Sequence, residues 1–175
     1  MSNDFLIVID MQNDFVYGSL KNEAAEKVIP LIEQKLAQFD GKILFTRDTH
    51  CSNYMDTLEG RNLPVEHCIK GSEGWEIVEP LRKYLDKAAC IYDKKTFGSL
   101  RLAQDIKAIN EIESITSIEI VGVCTDICVI SNAMLIKAAM PEVPVRICSE
   151  CCAGTSEEAH KTALAAMAGC QIEIV

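Results

Sequence analysis

Short apolar runs recur along this chain, separated by polar, glycine-bearing or proline-bearing stretches, and their spacing alternates between two periods. Residues 5–10, Phe-Leu-Ile-Val-Ile-Asp, are apolar up to the closing aspartate, the composition of a strand covered on both faces. Similar runs at 42–46, 88–92, 118–123, 143–148 and 171–175 predict five more strands. Between them, Val28, Leu31, Ile32, Lys35, Leu36 and Phe39 follow helical spacing, closed by Asp40-Gly41, with Pro30 suited to the first turn. Ser72 with Trp75-Glu76 predicts a helix running to Tyr84, and residues 100–109 and 155–168 predict two others. Residues 127–140 are apolar nearly all round, which suits either a central helix or one buried between subunits of a homodimer or larger homo-oligomer. Residues 47–74 form a polar loop without periodicity, and loops of that length in compact domains are usually functional.

Strands alternating with helices imply right-handed βαβ crossovers. The expected fold is therefore α/β: a three-layer α/β/α arrangement with a six-stranded, mostly parallel, Rossmann-like sheet in a single domain over 1–175. In such sheets ligands gather beyond the carboxyl ends of the strands. Asp10, Asp48 with His50, Lys94, and Cys124 with Cys128 all fall just past predicted strand ends. Separate segments thus deliver chemistry to one edge.

Cys128 follows the strand at 118–123 and a Thr125-Asp126 pair that suits a helix cap. In a first helical turn, unpaired amides and the helix dipole favour a thiolate, which makes Cys128 a candidate nucleophile beside a candidate oxyanion hole. An aspartate ending an apolar strand is costly to bury without partners. If Asp10, a lysine from 94–95 and Cys128 meet, the lysine balances the aspartate and the aspartate can take the thiol proton. A second group lies in the long loop: Asp48-Thr-His50, then Glu59 and His67. One carboxylate and two imidazoles suit zinc, with iron and manganese also accepted. His160, on the last predicted helix, is expected to be exposed.

A formal charge of −9 argues against nucleic acid or an anionic membrane as partner. No apolar run reaches a membrane-spanning length, and the N-terminus lacks the basic opening of a signal peptide. The nine cysteines are odd in number and fall largely on predicted strands and helices, so we read them as mostly reduced thiols in a cytoplasm.

Ile7-Val-Ile-Asp-Met-Gln-Asn-Asp-Phe15, Phe45-Thr-Arg-Asp-Thr-His50, His67-Cys-Ile-Lys-Gly-Ser72 and Val121-Gly-Val-Cys-Thr-Asp-Ile-Cys-Val129 occur in this order across nearly the whole chain. Together they resemble the isochorismatase-like cysteine hydrolase superfamily, and within it nicotinamidases most. The resemblance implies that superfamily's fold and an Asp10–Lys94–Cys128 triad, with Lys94 chosen because Asp93-Lys-Lys-Thr-Phe97 is similar to the family's lysine segment. It further implies a cis peptide at Val123–Cys124, an oxyanion hole from the Cys124 and Cys128 amides, and a metal on Asp48, His50 and His67, with Glu59 a candidate fourth group, directly or through water. Phe15, Leu63, Phe97 and Val123 become the expected substrate contacts, with Leu63 standing where an aromatic is usual. The activity implied is hydrolysis of nicotinamide, a small-molecule amide, through a thioester. Another amide, a ureido compound or an isochorismate-like substrate is the alternative within the superfamily. A non-catalytic binding or dimerisation module is the alternative outside catalysis.

Overall fold

The computed structural model describes residues 2–175. Six strands, β1 (Asp4–Ile9), β2 (Lys42–Asp48), β3 (Cys90–Lys94), β4 (Ser117–Val123), β5 (Val145–Ala153) and β6 (Glu173–Ile174), form one sheet in the order β3-β2-β1-β4-β5-β6. Every neighbouring pair is parallel. The helices are α1 (Asn13–Val16), α2 (Glu23–Gln38), α3 (Leu58–Asn62), α4 (Glu79–Arg82), α5 (Leu100–Ile112), α6 (Ile130–Ala139) and α7 (Glu157–Gly169). The strand pleat sorts the core into two clusters. Phe5, Ile7 and Ile9 join residues of α5, α6 and α7 on one face, while Leu6 and Val8 join residues of α1, α2 and α4 on the other. Full burial of each such side chain contributes about 1.5–3 kcal/mol, so an all-apolar β1 belongs at the sheet centre. The three-layer α/β/α architecture is the one expected.

Several elements depart from their expected bounds. Helix α2 starts at Glu23 because Asn22 caps it, accepting from the Ala24 amide, and Glu23 and Glu26 favour the first turn. Pro30 consequently lies mid-helix on the exposed side, where water can serve the carbonyl its missing N–H abandons. The helix expected over 72–84 is mostly absent. Ile77 instead pairs antiparallel with Gln12, the Val78 amide donates to the Met11 carbonyl, and the Trp75 indole donates to Thr49, leaving only α4 helical there, with a 3₁₀ turn following at Leu85–Lys87. Tertiary partners there outcompete helical ones. The long loop contains a 3₁₀ turn and α3, whose N-cap Thr57 accepts from the Gly60 amide. Strand β5 continues to Ala153 past a register break against β4, and β6 keeps only two residues.

Helix α6 lies between α5 and α7, so its apolar circumference meets the sheet and both neighbours. All nine cysteines carry free thiols. Among the described residues no helix is long and apolar enough to cross a membrane.

Strand β4 passes β1 so closely at Gly122 that a Cβ there would lie 2.1 Å from the Ile9 carbonyl oxygen, and its φ of 117° is one that L side chains rarely adopt. Gly122→Ala is therefore expected to cost about 3 kcal/mol or more, seen as a lower urea midpoint at unchanged slope. A midpoint equal to that of the parent would remove the close-approach argument.

Candidate active site

The sheet order sets β3, β2, β1 and β4 side by side, and each presents one polar group at its carboxyl end. Asp10 follows β1 in the left-handed region at φ 48°, which turns the chain out of the strand. Asp48 and Lys94 close β2 and β3 and are register partners across them. Lys94 belongs to the strand itself, two residues beyond the expected end. Cys128 sits in a π-helical turn, Thr125–Val129, that leads into α6, rather than in an ordinary first α-turn. The peptide Val123–Cys124 is cis.

The Lys94 ammonium is the meeting point. Its Nζ lies 2.6 Å from Asp10 Oδ2, 3.3 Å from Asp48 Oδ1 and 3.5 Å from Cys128 Sγ, and its side chain is 1% exposed. Asp10 is fully buried, and its Oδ1 accepts from the Thr46 hydroxyl at 2.6 Å. Burial raises the Asp10 carboxyl above its ordinary value, with Lys94 and Thr46 pulling the other way. Burial also opposes the Lys94 charge, but Asp10, Cys128 and Asp48 outweigh it and hold the lysine protonated. The thiolate expected of a helix start is not favoured at Cys128. Burial and then Asp10 push the thiol well up, against the pull of Lys94. The resting arrangement is a neutral thiol beside a carboxylate with raised basicity. Burial pushes the Cys124 thiol up to about 12, which leaves it protonated as well.

One step along the same edge, ligand atoms from Asp48, His50, Glu59 and His67 lie within 4.8 Å of one another. His50 Nε2 is 2.9 Å and His67 Nε2 3.5 Å from Asp48 Oδ2, and both face Glu59 Oε1 at 3.7 and 3.9 Å. His67 Nδ1 donates to the Val65 carbonyl at 2.8 Å, which turns its Nε2 into the cluster. Burial works against the Asp48 charge, yet the two histidines and Lys94 hold the carboxyl well below the usual range. Two imidazoles and two carboxylates closing on one point form a donor set that fits a divalent cation.

Both groups open onto one cavity of about 770 Å³, lined by Phe15, Leu63, Phe97, Asp48, Glu59, His67, Cys124 and Cys128 among others. Phe97 and Leu63 sit at its mouth, 46% and 39% exposed. Val123 does not line it. That side chain alternates onto the α2 side of the sheet and is fully buried there.

Residues 4–175 match the isochorismatase domain. The chain belongs to the isochorismatase family. It is 27% identical to the nicotinamidase of Schizosaccharomyces pombe, over 97% of this chain and 91% of that one. Among solved structures, the pyrazinamidase of Pyrococcus horikoshii in complex with zinc superposes with a TM-score of 0.81 at 27% identity, covering 99% of this chain and 98% of the other. The nicotinamidase of Bacillus subtilis gives 0.80 at 25% identity, covering 99% of each chain.

This isochorismatase-family site also rests on residues that sequence reasoning missed. Thr46 holds Asp10. Gln12, fully buried, accepts from the Asp48 amide and donates to the Asp48 and Trp75 carbonyls. Asp14 accepts from the Cys68 amide beside His67. His160 is half-buried rather than exposed, with Nδ1 2.8 Å from the Thr125 hydroxyl. Asn132 bonds to the Cys128 carbonyl. The available signal was polarity out of phase: Thr46 interrupts a strand and Asn132 interrupts the most apolar helix.

Removing the Lys94 charge strands Asp10 and Asp48. Lys94→Met should destabilise the fold by about 3 kcal/mol at neutral pH, as when one partner of a buried pair is deleted. Without the lysine, Asp10 has a still higher folded pKa. Its folded form then gains stability where it binds a proton, so the deficit should shrink as pH falls. Chemical denaturation at pH 5 and pH 8 measures both, and an equal or larger deficit at pH 5 would contradict the pairing.

Proposed function

We propose that this chain is a cysteine amidohydrolase that converts nicotinamide to nicotinate and ammonia. The observation that carries the reading is the meeting of Cys128, Lys94 and Asp10 at a cavity that Asp48, Glu59 and His67 also line. Nicotinamidase and pyrazinamidase relatives that match nearly the full chain supply the substrate class.

In this reading Asp10 takes the Cys128 proton as the sulfur attacks the carboxamide carbon. The raised basicity of a buried carboxylate suits it to deprotonate a neutral thiol. The amides of Cys124 and Cys128 receive the oxyanion. Asp10 returns the proton to the leaving nitrogen, ammonia departs, and a thioester remains on Cys128. Water, deprotonated by Asp10, then releases the carboxylic acid and restores the thiol. Lys94 stays charged throughout and fixes Asp10 against Cys128 at the distances given. Phe15 and Phe97 face the ring, and Leu63 supplies an apolar wall. Asp48, His50 and His67, with Glu59 directly or through water, would hold one divalent ion, zinc first among the candidates. Such an ion supplies a Lewis-acidic point that orients a ring nitrogen. The cavity is roomier than a single-ring amide needs, which favours other carboxamides as the second reading.

Ammonia release from nicotinamide by metal-loaded protein is the direct test. Rapid release lost in Cys128→Ala supports the reading, whereas undiminished activity in that variant sinks the mechanism. Metal analysis should find one ion per chain, lost on His67→Ala, and a protein fully active after chelation would exclude the metal role.

The Asp10 carboxyl must be ionised to act, so kcat/KM should fall as pH drops through its raised folded value. Thr46→Val removes a donor that favours the carboxylate and should move this acid limb to higher pH. A pH–rate profile that stays in place would show that the limb belongs to another group.

A further inference from the structure

Helix α6 is apolar around most of its circumference, yet Asn132 stands in its buried face with no exposed surface. A leucine has the same branching at Cγ and would suit an apolar helix face, so packing alone gives no reason for an amide. Hydrogen bonding does. Nδ2 donates to the Cys128 carbonyl at 2.7 Å and to the Phe97 carbonyl at 3.1 Å, while Oδ1 accepts from the Ser99 amide at 2.9 Å. The orientation is fixed by its partners, because flipping the amide would set an oxygen against two carbonyls. One side chain therefore grips the turn that carries Cys128 and both ends of the segment 97–99.

That segment follows Lys94 closely and carries Phe97 at the cavity mouth. An independent feature shows how tightly it is seated. A Cβ on Gly98 would lie 2.7 Å from Leu135 Cδ1 and 3.2 Å from Ser131, so the backbone lies directly on α6. At its far end, Ser99 caps α5 by accepting from the Leu102 amide.

We propose that Asn132 is a positioning residue that fixes the Cys128 turn and the Phe97 wall of the cavity relative to each other, so that nucleophile and substrate ring keep one register. The inference rests on the amidohydrolase reading above. Asn132 touches neither substrate nor the reacting sulfur. It acts through two backbone carbonyls. Small misplacements at a reacting centre cost orders of magnitude in rate, so a clamp of this kind bears on turnover as well as affinity.

Asn132→Leu keeps the branched outline, with added bulk, and deletes all three bonds. Its kcat for ammonia release from nicotinamide should fall about 10–100-fold while KM rises severalfold. Gly98→Ala lifts the Phe97 segment off α6 and leaves the Cys128 bond, so it should raise KM with kcat within about twofold of the parent. Independently of any substrate, iodoacetamide should alkylate Cys128 about tenfold more slowly in Asn132→Leu, because the thiol shifts off the Lys94 ammonium, while exposed Cys51 reacts as before. If Asn132→Leu does not fold, Asn132→Asp retains the shape and the Ser99 bond, lacks the amide donors and carries the same expectations. Unchanged kcat, KM and Cys128 alkylation in a folded variant would overturn the proposal and leave Asn132 a packing residue. A parent protein that releases no ammonia would instead refute the nicotinamidase reading, and the alkylation comparison would still decide the role of Asn132.

Discussion

A single buried ammonium holds this site together. Lys94 Nζ touches Asp10, Asp48 and Cys128 with almost no solvent contact. Two carboxylates so near each other would repel strongly in a medium of low polarity, and neither could stay ionised alone. The lysine makes both tolerable and thereby links the two halves of the site. Asp10 faces the thiol, while Asp48 faces the histidines. Because β2 and β3 are parallel and in register, Lys94 and Asp48 must arrive together, and the adjacent β1 must bring Asp10 beside them.

Burial then decides the chemistry. Desolvation raises Asp10 and Cys128 together, which leaves a neutral thiol next to a carboxylate more basic than one in water. A permanently charged thiolate is not what this environment favours. In the proposed mechanism the proton moves when an electrophile is present, and Lys94 and Thr46 both pull Asp10 toward the carboxylate that would accept it. At the other half, Asp48 stays ionised because two imidazoles and the lysine face it, leaving the cluster with the character of a cation site.

Around these groups runs a layer of buried polar side chains whose partners are backbone atoms. Gln12 spans Asp48 and Trp75, Asp14 holds Cys68, and Asn132 joins the Cys128 turn to the Phe97 segment. Each satisfies groups that would otherwise be buried unpaired, and each fixes one functional segment against another. The irregular backbone concentrates here as well: Asp10 and Cys68 in the left-handed region, Gly122 against β1, and the π-turn under Cys128.

The sequence by itself determined the layered parallel sheet, because unbroken apolar strands alternating with helices have few other ways to bury themselves. It also marked Asp10, Asp48, His50, Cys128 and a lysine from 94–95, since polar residues near strand ends stand out against apolar runs, and the family resemblance chose Lys94. Only the tertiary structure decided how those groups behave. The direction of the Asp10 and Cys128 shifts depends on full burial, which local pattern does not encode. Trp75 and its neighbours read as helical until Gln12, Met11 and Thr49 supply partners from distant segments. Pro30 sits mid-helix because Asn22 caps α2 two turns earlier than its apolar stripe suggests. Val123 faces away from the cavity because the strand pleat alternates, and His160 is drawn inward by Thr125. Thr46, Gln12 and Asn132 stayed unread for one reason: a buried polar residue has meaning only through partners that the fold brings to it.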